Sequence, residues 1–217
     1  MDSITFKDTL ATTASICTVS QFLAGILVCR KFFINGNTGD TSGFAFVTCF
    51  MSCSLWLRYG QLIGDSFVIL VNVFGAILEI SYTLIYMYYT SKKSVILRQF
   101  VAATIFVATI YVYSIVEDDR SLAVKRVGFL SCGLTILFFA SPLIMLAHVI
   151  RVRSAESLPF PVIVATLVAS CQWFAYGVLL DDPFIQTPNF LGCVLSGFQL
   201  ALFVIYPKKK PDQTHLI

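Results

Sequence analysis

The sequence predicts an all-α membrane protein: seven transmembrane helices, arranged as two parallel three-helix bundles joined by a linker helix (3+1+3). Three observations carry this prediction. The 217 residues are 57% hydrophobic and only 12% charged, with mean hydropathy +0.82, whereas a soluble domain carries roughly 25% charged residues. Seven apolar runs each approach the ~20 residues that cross a hydrocarbon core. Finally, Trp56-Leu57-Arg58-Tyr59-Gly60, followed after eleven residues by Asn72-Val73-Phe74-Gly75, returns 117 residues later as Trp173-Phe174-Ala175-Tyr176-Gly177 and Asn189-Phe190-Leu191-Gly192. Asp65 and Asp182, Phe67 and Phe184, and Tyr89 and Tyr206 match at the same offset. Self-similarity at a fixed offset marks a duplicated unit.

In chain order the spans fall at 9–33, 44–63, 67–89, 97–116, 127–150, 160–180 and 185–206. Lipid offers the backbone no hydrogen bonds, and no barrel-like alternation is visible, so each span is expected to be helical. The first run begins after Asp8 without a basic flank, which favours a membrane span over a cleavable signal peptide. Residues 9–90 form the first repeat and 127–207 the second. Residues 91–126 hold the fourth span and its flanking loops, and 208–217 a short basic tail. A three-span unit ends opposite its start, so two parallel copies need one extra crossing. The fourth span makes it; from Leu97 to Val116 it contains no Pro, Gly or Asn and only Arg98 near its start, and it reads as a plain linker.

Basic residues set the orientation. Arg30, Lys31, Lys92, Lys93, Arg98, Arg151, Arg153 and Lys208 to Lys210 follow odd-numbered spans, ten against four or five on the other side depending on Arg58. The positive-inside rule therefore places the amino terminus outside or lumenal and the carboxyl terminus in the cytoplasm. The net charge of +3 is small and its positives are dispersed, so no nucleic-acid partner is expected. The seven cysteines lie in apolar segments and read as small packing residues. His148 and His215 have no ligand company, so neither a metal nor another cofactor is expected.

Polar residues converge in one layer. Trp56 and Asn72 each lie eight residues from Gly64, and Trp173 and Asn189 eight residues from Asp181. At 1.5 Å per residue each is about 12 Å along its helix from the turn, inside the outer half of the membrane. That depth argues against reading Trp56 and Trp173 as interfacial belt residues. Tyr59 and Tyr176 lie one turn further out, where a belt role and closure of the outer entrance both stay open. Asn72 and Asn189 could bond neighbouring helices. Paired amides beside paired indole faces nevertheless suit a neutral, hydroxyl-rich ligand, because amides donate and accept. Arg58 points about 200° away from Trp56 and is no part of this layer.

The third span carries Asn72, Gly75, Glu79, Tyr82 or Thr83, and Tyr86 on one face, and the seventh repeats it with Asn189, Gly192, Ser196, Gln199 and Phe203. Glu79 is the only acid deep in a span and a functional candidate by default. Its counterpart Ser196 offers no cation, so Glu79 is expected to be neutral and hydrogen-bonded between helices. Pro142 lies within the fifth span, and Pro159 and Pro161 open the sixth, where they make plausible hinges. Pro183 and Pro188 are expected to shape the turn before the seventh.

Together these residues resemble the SWEET sugar transporters of the MtN3/saliva type. The resemblance covers nearly the whole chain and rests on the two W-x2-Y-G and N-x2-G motifs, Ala140-Ser141-Pro142 and Asp182-Pro183-Phe184. SWEETs are themselves a documented case of parallel repeats. The likeness implies a facilitative transporter, not an enzyme, that moves sugars down their gradients by alternating access. The expected substrate is a monosaccharide such as glucose, and no coupled ion or cofactor is expected. It implies a sugar site lined by Asn72, Asn189, Trp56 and Trp173. Tyr59, Tyr176 and Asp182 are assigned to the gate, and Pro142, Pro159 and Gly25 to hinges. The family also implies self-association into a homo-oligomer, in the plasma membrane or the Golgi. The short carboxyl tail is closer to animal members than to plant ones. Two first-copy positions depart from the pattern, since Gly25 stands opposite Pro142 and Ala45 where another proline is expected. Proton-coupled transport through Glu79 and a non-transporting membrane scaffold are the alternatives. A seven-span receptor would not predict the repeat.

Overall fold

The computed structural model describes residues 3–206, with side chains from Thr5 onward; the basic tail and His215 lie outside the described residues. The regular elements among them are all helical: α1 (Ser3–Leu23), α2 (Gly25–Asn35), α3 (Phe44–Ile63), α4 (Ser66–Tyr89), α5 (Lys93–Val116), α6 (Arg120–Phe138), α7 (Ala140–Val152), α8 (Phe160–Leu179) and α9 (Pro183–Ile205). The predicted first span is α1 and α2, interrupted at Ala24, and the fifth is α6 and α7, interrupted at Phe139. Six spans are long and apolar enough to cross a membrane. The second predicted span, α3, has 20 residues and carries Ser52, Ser54, Arg58 and Gln61, which lower its hydropathy.

Two details differ from the sequence reading. The fifth span starts at Arg120, two turns before residue 127, because Asp119 Oδ1 accepts the Leu122 amide at 3.2 Å and caps the helix. Pro188 lies inside α9 and is buried, not in the turn before it. Asp182 already caps α9 at Pro183, accepting the Phe184 and Ile185 amides at 2.9 and 3.1 Å, so the helix is under way when it reaches Pro188.

The described residues divide into two compact units between Leu134 and Thr135, within α6. In the unit ending at Leu134, α4 is central and touches α1, α2, α3 and α5. Its inner face buries Val71, Gly75, Glu79, Tyr82 and Tyr86, while Leu70, Ile77, Leu84 and Tyr88 are exposed on the other. An apolar exposed face at helical spacing is what a lipid-facing helix presents. The core there joins Cys29, Phe32, Phe46, Val47, Tyr82, Tyr86 and Ile96. In the unit beginning at Thr135, α9 touches α7 and α8 over a core of Val149, Ala155, Leu158, Ile163 and Leu202.

The linker span is less plain than its sequence. Three polar contacts lace α5 and the start of α6 to α3 at successive turns. Tyr111 Oη donates to Ser54 O at 3.2 Å. Arg58 donates from Nε to Ser114 Oγ at 2.6 Å and from Nη2 to Ser114 O at 3.2 Å. Arg120 Nη2 donates to Leu62 O at 2.8 Å. Arg58 thus faces the linker, as its helical angle from Trp56 requires. The second copy has Ala175 at the position of Arg58, so its middle rung, the one an α3 side chain supplies, has no counterpart there.

Candidate functional site

Each copy builds its polar layer from one helical hairpin, α3–α4 or α8–α9. The glycine of the Y-G pair sets how close the two helices come. A Cβ at Gly60 would stand 3.0 Å from Val68 Cγ1 and 3.1 Å from the Ile69 amide nitrogen, and one at Gly177 3.0 Å from the Gln186 nitrogen. The turn repeats as well. Gly64 (φ 75°) and Asp181 (φ 53°) are equivalent left-handed residues. The next residue closes each turn, with Asp65 N to Gly60 O at 3.0 Å and Asp182 N to Gly177 O at 2.9 Å. Asp65 Oδ1 then accepts the Val68 amide at 2.9 Å, the capping role that Asp182 plays for α9.

The predicted site residues repeat the same local geometry within these frames. Asn72 Nδ2 donates to Val68 O at 2.8 Å, and Asn189 Nδ2 donates to Ile185 O at 2.8 Å. That back-bond orients each amide and uses one of its N–H groups, leaving Oδ1 and the second N–H for a ligand. Trp56 meets Tyr59 edge to face, centroids 5.6 Å apart at 88°, and Trp173 meets Tyr176 at 5.7 Å and 77°. Both tyrosines are buried, at 2% and 1% exposure, so each ring braces its indole. Further along, a Cβ on Gly75 would meet Cys53 Sγ and Phe22, and one on Gly192 would meet Ser170 Oγ and Phe139, equivalent pairs at the repeat offset.

The hinge candidates sit at helix discontinuities. Gly25 opens α2 directly after the Ala24 interruption, Pro142 lies in the first turn of α7, and Pro159 is the N-cap residue of α8. In the second unit a cavity of ≈ 180 Å³ is lined by Phe139, Pro142, Pro159, Gly192, Ser196 and Gln199, among others. Glu79 is buried, and the Cys49 thiol of α3 interacts with its carboxyl group. Its Oε2 has no hydrogen-bond partner among the described residues. Cys49, which the sequence presents as a packing cysteine, thus meets Glu79, and Tyr82 on the polar stripe reaches out of α4 to donate to Phe22 O at 3.0 Å.

Comparison with known proteins agrees with the repeat. The family described as "Sugar efflux transporter for intercellular exchange" matches twice, at residues 8–94 and 125–211. The chain is 46% identical over 202 residues to sugar transporter SWEET1 of Drosophila pseudoobscura pseudoobscura, covering 92% of this chain and 89% of that one. It is 32% identical over 214 residues to SWEET1 of Homo sapiens, covering 97% and 96%. A solved eukaryotic SWEET transporter superposes with a TM-score of 0.84 at 28% identity, covering 93% of this chain and 98% of that one. The chain belongs to the SWEET (MtN3/saliva) family of sugar transporters and is a multi-pass membrane protein, not an enzyme.

Proposed function

We propose that this chain is a uniporter that carries monosaccharides such as glucose down their gradient by alternating access. Asn72, Asn189, Trp56 and Trp173 line the sugar site. The observation that carries the reading is the repeated geometry: each copy presents an amide fixed by the same i−4 back-bond, and an indole fixed by the same edge-to-face tyrosine. Oriented amides answer hydroxyl groups, and indole faces cover the C–H face of a pyranose. In this reading Tyr59, Tyr176 and Asp182 shape the outer gate, and Gly25, Pro142 and Pro159 are hinges. The repeats 9–90 and 127–207 are the moving halves. The protein resides in the plasma membrane or Golgi with its amino terminus outside or lumenal, and it self-associates. Uptake of labelled hexoses and disaccharides by proteoliposomes tests the reading. Downhill uptake of a hexose, with no accumulation against its gradient, is the expected result.

One observation favours a second reading. Glu79 Oε2 is buried without a partner among the described residues, and an intramembrane carboxyl group is a natural proton carrier. Sugar accumulation driven by an imposed pH gradient would select proton-coupled transport.

A further inference from the structure

The second copy interrupts its first span with a proline; the first copy has Gly25 at that position, yet its helix is interrupted too. Around Ala24 the backbone shifts to tighter bonds, Ala24 N to Gln21 O and Leu27 N to Ala24 O, both 3.1 Å. In a regular helix the Ile26 amide would bond Phe22 O. Here that backbone bond is absent, and Phe22 O instead accepts from Tyr82 Oη of α4 at 3.0 Å. One phenol therefore takes the place of a helical donor at its acceptor. A side chain inserted into the i→i−4 ladder is a recognised cause of helix kinks.

The ring fits only because residue 25 is glycine. A Cβ there would come within 2.8 Å of Tyr82 Cδ2 and Cζ. Phe46 also packs against the ring, tilted at 54° with centroids 5.8 Å apart. The second copy inverts each feature. Its equivalent backbone pair is bonded directly, Leu143 N to Phe139 O at 3.0 Å. The interruption there comes with Pro142, and the residue equivalent to Tyr82 is Gln199, beside an open cavity of ≈ 180 Å³.

We propose that Tyr82 is a positioning residue for transport: its hydroxyl, bonded to Phe22 O where the Ile26 amide would bond in a regular helix, makes the first-copy hinge that Pro142 makes in the second. Tyr82 and Gly25 form one unit, as do Gln199 and Pro142. The inference rests on the transport reading above, because a hinge is detected through turnover. Tyr82 lies about 15 Å along α4 from Asn72, so its loss slows conformational exchange without changing the sugar site.

The test uses the full-length protein in proteoliposomes, with a labelled hexose that the wild type carries. Tyr82→Phe keeps the ring and removes the hydroxyl, so Ile26 and Phe22 bond directly. Its maximal rate is expected to fall about tenfold while KM stays within about twofold. Gly25→Pro alone drives the proline into the Tyr82 ring and is expected to be worse. Gly25→Pro with Tyr82→Gln copies the second-copy pair and is expected to recover most of the lost rate. Hydrogen exchange over residues 21–27 provides a readout independent of transport, and it should slow in Tyr82→Phe as the helix closes. A wild-type rate in Tyr82→Phe, unchanged exchange over that segment, or a double variant no better than Gly25→Pro alone each overturns the proposal. A wild-type protein that carries no sugar refutes the transport reading instead, and the exchange result still decides the wedge.

Discussion

Replacing Asn72 or Asn189 with alanine tests the sugar layer, because the structure separates its effect on the fold from its effect on the ligand. Each amide donates to a carbonyl four residues earlier, Val68 O or Ile185 O, at 2.8 Å. Those carbonyls lie within α4 and α9, where the backbone amide at i+4 also bonds them, so alanine leaves neither unsatisfied. Alanine is also the best helix former, and the folding cost should be below about 1 kcal/mol. The loss to the ligand is larger. Each amide retains an Oδ1 and one N–H, and a typical hydrogen bond contributes roughly 0.5–1.5 kcal/mol. Two such contacts amount to about 1–3 kcal/mol, a weakening of about 5-fold to 150-fold. The assay is initial-rate uptake over a range of sugar concentrations, with thermal unfolding of the same purified variants. The expected outcome is a large loss of uptake at low sugar with little change in melting temperature. Uptake near wild type in both variants would falsify the assignment of this layer. Equal losses of uptake and stability would show that the amides are structural.

Further expectations follow from neighbouring residues. Two indoles in one layer leave room for a monosaccharide, so Trp56→Ala or Trp56→Ser, which removes an indole braced by Tyr59, should widen selection towards disaccharides; a wild type that already carries sucrose better than glucose contradicts this size argument. In liposomes loaded with a pH-sensitive dye, sugar influx should leave internal pH unchanged, and acidification that tracks sugar would make Glu79 the first residue to replace. Arg58→Ala removes a guanidinium that holds Ser114 through two hydrogen bonds and stands 5.5 Å from the Tyr111 ring centroid. With about 1.5–3 kcal/mol for a hydrogen bond to a charged group, the variant should melt several degrees lower while its KM for sugar is retained. An unchanged melting temperature would mean that the ladder between α3 and α5 contributes nothing to stability.

What the sequence determined by itself was everything that follows from period and composition. Hydropathy located seven spans because lipid admits no other continuous backbone there. The 117-residue offset identified two copies of one hairpin, and the spacing of Trp56, Asn72 and Gly64 marked equivalent positions on its two helices. Even the turn was legible, since Gly64 and Asp181 are residue types that reach the left-handed region more readily than most.

The tertiary structure decided whatever depends on which side chain reaches which backbone atom. Tyr111, Ser114 and Arg58 are far apart in the chain or unremarkable in it, and only the approach of α5 to α3 makes them a ladder. Pro188 reads as a turn former because proline usually ends a helix, although Asp182-Pro183 is a local start signal, and the tertiary structure keeps Pro188 buried inside α9. Gly25 reads as a hinge candidate that departs from the proline pattern, and nothing beside it in the sequence shows what interrupts the helix there. A tyrosine one helix away does the same work through a hydrogen bond to Phe22 O. Local chemistry is written in neighbouring residues, whereas an inserted side chain is set by packing between segments 57 residues apart, at Gly25 and Tyr82.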